Sequence, residues 1–192
     1  MTWSEVVYGV LFQPVNTLRY LADEKPVGRG LVIFTLVTVV NFILLRGSEG
    51  TGSDPLSSLF REFFPLYATL GTFFALFVLL LTAGFLSLLG ELFYRRGNAS
   101  GLLTCLALAV VPGLVGSALQ YAMFLLDLAV LGMVISLVTI AWVMVLQVLS
   151  LRESLALTTG QAVLIYILPA VSLLVMALIL VFVLASRFPL AT

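Results

Sequence analysis

From Leu102 to Leu149 the chain is apolar almost without a break, 48 residues carrying one charge, Asp127. A helix needs only about 20 residues to cross the roughly 30 Å hydrocarbon core of a bilayer. A run more than twice that length predicts a hairpin of two spans, turning between Gln120 and Asp127. Asp127 then caps the second helix at the membrane interface. The sharper alternative makes Asp127 a buried ion or proton site. The length of the run favours the cap, because a turn elsewhere would leave one arm too short.

The first arm, Gly101 to Tyr121, holds no charge and a repeating set of small side chains. Gly101, Cys105, Ala109, Gly113 and Ser117 recur every four residues, so they share one slowly winding helix face. In lipid, helices gain nothing from hydrophobic transfer against each other, and small residues let two backbones approach closely enough for packing to hold them. The stripe therefore predicts a helix–helix seam, although Gly and Ala are common in spans for compositional reasons too. Pro112 lacks an N–H for the Leu108 carbonyl and predicts a kink there.

The rest of the chain is of the same kind. Of its 192 residues, 62% are hydrophobic and 9% charged, far below the roughly 25% charged residues of a soluble domain. Spans are expected at about 27–45, 66–93, 102–122, 128–149 and 161–185, giving an all-α, five-helix membrane bundle as a single domain over 1–192. Trp3, Val6, Val7, Val10 and Leu11 fall at amphipathic spacing, and Val15, Leu18 and Leu21 continue the stripe after Pro14. Neither piece can span. Residues 2–22 are expected to form surface helices, or short helices packed beneath the bundle. A second surface helix is expected before the second span, opened by an Asp54 cap with Pro55 and carrying Leu56, Leu59, Phe60, Phe63 and Phe64. The first ten residues have neither the basic flank nor the long apolar core of a cleaved signal.

Polar residues inside or beside the spans are few. Thr35, Thr38 and Asn41 line the first. Glu91 stands four residues before Arg95, in the favourable order for a helical ion pair at the interface, and its near-intramembrane position also admits a functional role. Trp142 lies well inside its span and is expected to pack in the core. Ser150 and Glu153 fit a capping box, predicting a short helix over Leu151–Leu157. Counting Lys and Arg in the connections gives six on the side of the N-terminus (Arg19, Lys25, Arg29, Arg95, Arg96, Arg152) against three opposite (Arg46, Arg61, Arg187). That asymmetry predicts the N-terminus inside and the C-terminus outside.

Chemistry-bearing constellations are missing from the pattern. There is no histidine and a single cysteine, Cys105, and no zinc-protease, phosphate-loop or nucleophile-elbow motif. The zero net charge argues against a nucleic-acid partner. We expect no enzyme activity, no cofactor and no metal. The expected partners are membrane lipids, with a protein partner or a second copy of the chain besides. The alternative from a different class is a small transporter or channel, its path lined by Thr35, Thr38, Asn41, Thr69, Thr72 and Gln147.

The segment Pro14–Leu21 (P-x-x-T-L-R-Y-L), the five spans, Ala109–Pro112 (A-x-x-P), Trp142 and the loop into Thr159–Gly160–Gln161–Ala162 together resemble the bacterial branch of the Yip domain family, the Ypt-interacting proteins. The resemblance covers most of the chain. It implies a non-enzymatic multi-pass protein of a bacterial cytoplasmic membrane, acting as an adaptor or lipid-organising component. The eukaryotic branch is associated with Rab-type GTPases and carries a D-L-Y-G-P-type motif. Here Leu11–Phe12–Gln13–Pro14 lacks the acid, the tyrosine and the glycine, so GTPase binding does not carry over.

Overall fold

A computed structural model describes residues 2–48 and 62–187. Of the expected surface helix, Asp54, Pro55, Leu56, Leu59 and Phe60 lie outside the described residues, while Phe63 and Phe64 stand at the start of the second span. Within them the chain forms α1 (Trp3–Phe12), α2 (Pro14–Glu24), α3 (Val27–Ser48), α4 (Phe64–Tyr94), α5 (Ala99–Ala109), α6 (Val111–Leu125), α7 (Ala129–Ser154) and α8 (Thr159–Arg187). Five helical stretches are long and apolar enough to cross a bilayer; α5 and α6 together make the third. The all-α bundle is as the sequence predicts.

Helix α5 is the centre. Every residue from Gly101 to Ala109 is buried, because its small and medium side chains are covered on all sides by α1, α2, α3, α4 and α7. Two apolar clusters meet on it. Leu102, Leu103, Leu106 and Ala107 pack towards α4, α7 and the start of α8. Cys105, Leu108 and Ala109 pack towards α1 and α2.

The amphipathic stripe of the N-terminal pair faces the bundle. Val6, Val10, Leu18 and Leu21 are buried in the second of these clusters, together with Leu146 of α7. The two helices form a hairpin laid lengthwise against α5. Ala22 sits at Gly101, the Cys105 thiol donates to the Leu18 carbonyl at 3.3 Å, and Leu11 reaches the cleft walled by Pro112. From Gly101 to Pro112 is about 16 Å of helix, so the tip at Gln13 lies well inside the bundle's length. The stripe was legible, and its partner is protein: the pair packs lengthwise against α5. Leu11, Phe12 and Gln13 form the tip because Pro14 opens the return limb at a first-turn position that requires no N–H.

Two expectations fail at the other end of α7. The Ser150–Glu153 capping box does not form. The Ser150 hydroxyl donates to the Leu146 carbonyl and that of Ser154 to Ser150, so both serve their own helix and α7 runs unbroken to Ser154. The box belongs to Thr158 and Gln161 at the start of α8, with Thr158 N–H to Gln161 Oε1 at 3.0 Å and Gln161 N–H to Thr158 Oγ1 at 3.4 Å. Trp142 is 41% exposed and lines an apolar cleft with Leu11 and Pro112. It closes the outer edge of the hairpin tip and is not core.

The end of the bundle holding the α4–α5 and α7–α8 turns, here the near end, is tightly tied. Asn98 caps α5 by accepting from Gly101 N–H at 3.2 Å, while its amide nitrogen donates to the carbonyls of Ala22 and Ser154 at 3.1 and 3.3 Å. Its backbone N–H donates to Ser87 at 3.2 Å. One side chain thus joins α2, α5 and α7, and its backbone adds α4. Beside it, Glu153, 6% exposed, is shared by Arg19 at 2.9 Å and Arg152 at 2.6 Å. Arg96 donates to the Ala156 carbonyl.

The far half opens. Of α6 only Val111, Pro112 and Gly116 are buried. Helix α8 leaves the bundle: residues 170–183, just past Pro169, are exposed on every face.

Candidate functional site

Three adjoining crevices occupy the opened half, and Gln120 of α6 lines all of them. The first, about 230 Å³, lies between α3 and α6 and is lined by Asn41, Ser117, Gln120 and Tyr121, with Leu44, Leu45 and Phe124 as apolar lips. The second, about 340 Å³, lies between α6, α7 and α8 and adds Ser136, Thr139, Gln147 and Tyr166. The third, about 460 Å³, reaches Asp127 at the α6–α7 turn.

The local sequence explains why polar groups gather here. Ser117, Gln120 and Phe124 lie on neighbouring turns of α6 and so face one way. Gly116 brings α7 against α6 at Thr139, where a β-carbon would overlap the threonine side chain, and so sets Ser136 and Thr139 beside Ser117. Pro169 directs α8 away, leaving the Tyr166 hydroxyl donating to Gln147 Oε1 at 2.6 Å at the vertex where the helices part.

Several of these groups are already satisfied. Ser117 donates to the Gly113 carbonyl and Thr139 to that of Ile135, both at 2.8 Å. One is not. Asn41 Oδ1 is buried and has no hydrogen-bond partner among the described residues. An unpaired buried acceptor costs about 1–3 kcal/mol, so it marks a place for an incoming donor.

The seam residues divide between the two halves. Gly101 is pressed against Asn98 and the Ala22 carbonyl, and Cys105 and Ala109 are fully buried. At Gly113 a β-carbon would meet nothing within 4 Å; the close approach falls at Gly116, three residues on. Ser117 faces the crevices. The α5–α6 break is at Val110, two residues before Pro112, with Gly113 N–H reaching back to the Val110 carbonyl at 2.8 Å.

The charged candidates are placed differently from their expected roles. Glu91 is exposed and forms no ion pair with Arg95 among the described residues. Arg95 ends α4 in the left-handed conformation, φ 56°, which takes its side chain off the helical i+4 position. Asp127 is also left-handed, φ 58°, and exposed. Leu128 holds the N-cap of α7 without a side-chain bond, so Asp127 closes α6 instead of capping α7. Leu128 N–H bonds the Met123 carbonyl and Asp127 N–H that of Phe124, the paired bonds of a Schellman ending.

Asn98, Gln120 and Ser136 were not singled out in the sequence. Lone polar residues in or beside apolar runs carry no periodic signal. Among the described residues no group of three or more His, Cys, Asp or Glu could hold a metal ion. The arrangement offers hydrogen bonds in a low-dielectric setting, without a nucleophile–base pair.

A family model described as the Yip1 domain matches residues 8–182. No curated protein and no solved structure matches the sequence.

Proposed function

Since the chain belongs to the Yip1 domain family and carries five membrane-spanning stretches, we propose that this multi-pass membrane protein is a non-catalytic, lipid-binding scaffold. The observation that carries the reading is the contrast between its halves. In the near half α5 is buried along its length, and the far half opens into polar-floored crevices. A rigid base with an open, hydrogen-bonding end suits holding a ligand that arrives sideways from the bilayer. The N-terminus lies inside and the C-terminus outside, as the basic residues favour.

A through-going path has less support. Thr35, Thr38, Thr69 and Thr72 each donate to a carbonyl four residues back in their own helix, and α5 fills the centre. The test is native mass spectrometry of the full chain released from gentle detergent. Lipid retained through delipidating washes is expected. A bare monomer with neither lipid nor protein retained would overturn the reading.

A further inference from the structure

We infer that the α3–α6 crevice is a headgroup site for a phospholipid whose headgroup carries hydrogen-bond donors, the chemistry of phosphatidylethanolamine. This rests on the lipid-binding reading above and names its site and ligand class.

The floor supplies acceptors. Asn41 Oδ1 is buried with no donor among the described residues. The Ser117 hydroxyl spends its proton on Gly113 and offers only lone pairs outward. A primary ammonium has N–H groups to offer such acceptors, whereas a trimethylated ammonium has none to give. The Gln120 amide and the Tyr121 hydroxyl line the same crevice and can donate to a phosphate.

Depth favours a lipid over a soluble solute. Gln120 lies about 7–8 Å of helix below the end of α6 at Leu125. The polar headgroup layers add only about 5–8 Å to each side of the hydrocarbon core. The crevice therefore sits at the boundary where a lipid's polar and apolar parts meet. Its lips are apolar, Leu44, Leu45 and Phe124, matching the start of acyl chains. Its volume, about 230 Å³, suits a headgroup and excludes a helix, which is about 10 Å across.

The experiment is native mass spectrometry of the full chain, with phosphatidylethanolamine and phosphatidylcholine of identical acyl chains added in turn. Wild-type protein is expected to retain the ethanolamine lipid about tenfold better, a difference of about 1.4 kcal/mol. Asn41→Leu and Gln120→Leu should each lose most of that preference, and Leu174→Ala, on the exposed part of α8, should keep it. Asn41→Leu removes the orphan acceptor at similar size, so its thermal midpoint should hold or rise, separating lost binding from lost fold.

Equal retention of the two lipids by wild type, or a preference untouched by both crevice variants, overturns the inference while leaving general lipid binding in place. Displacement by soluble phosphoethanolamine at the same concentration would make the ligand a free solute. A lipid-free dimer abolished by Gln120→Leu would assign the crevice to a second copy. Either result overturns the lipid site.

Discussion

Gly116 lies against Thr139 so closely that a β-carbon on the glycine would overlap the threonine side chain, whereas Gly113, one turn earlier on the same helix, faces open space. The two helices of the apolar hairpin therefore approach most closely at Gly116, and Gly132 keeps them in contact nearer the turn, against Met123 and Gln120.

Gly116→Leu should lower the thermal midpoint in detergent clearly, because overpacking costs about 1–3 kcal/mol and the β-branched Thr139 side chain, bonded to the Ile135 carbonyl, cannot shift cheaply. Gly113→Leu should stay near wild type. Equal effects would show that the helices are not in contact at Thr139.

Asn98→Ala should be among the most destabilising single changes at the near end. It removes a helix cap worth about 1 kcal/mol and leaves the Ala22 and Ser154 carbonyls without their amide donor, at about 1 kcal/mol or more each. Asn98→Asp keeps the acceptor that caps α5 and loses the donors, so it should fall between. Thermal midpoints of the three proteins give the ordering. If Asn98→Asp matches wild type, Asn98 is a cap and no more.

The start of α1 should loosen in acid. Thr2 and Glu5 form a capping box, with Thr2 N–H to Glu5 Oε2 at 2.7 Å. The backbone bond from Thr2 first, and its hydroxyl second, hold the Glu5 carboxyl below its ordinary 4.5. The folded value lies below the unfolded one, so the contribution is complete above pH 4.5 and disappears as pH falls through the folded value. Hydrogen exchange at the first turn of α1 should speed up over that window in wild type. It should show no extra acid response in Glu5→Gln.

Reporter fusions after Leu45, Tyr94, Asp127, Ser154 and Thr192 should alternate outside, inside, outside, inside, outside. An inside report after Thr192 would mean that one of the five stretches does not cross.

The sequence makes the spans legible because burial in lipid demands long apolar runs, and α3, α4, α7 and α8 overlap their expected positions closely. The turns are less legible. Chain reversals at Lys25, Arg95, Asp127 and Ala156 use left-handed residues that are not glycine, so the usual marker is missing. Leu151–Leu157 reads as a separate helix because Ser150 and Glu153 fit a capping box, and nothing in the Ala156 side chain signals that α7 ends there instead. Asn41 was noted as polar, but Gln120 was not. Their joint role depends on how α3 crosses α6, which neither helix's periodicity encodes. Trp142 was misplaced for the same reason, since its surroundings are set by how far the Leu11–Pro14 tip reaches.

The hairpin of α1 and α2 also fixes an order of assembly. It emerges first during synthesis, yet Leu18 waits for Cys105, Ala22 for Asn98, and Arg19 for Glu153, partners 87, 76 and 134 residues downstream. Until α5 and α7 have been made, the apolar faces of Val10 and Leu18 have no protein to cover them, and non-local contacts of this kind form late. The first of these helices to be made thus docks only once the fourth span is in place, and its arrival closes the near half of the bundle.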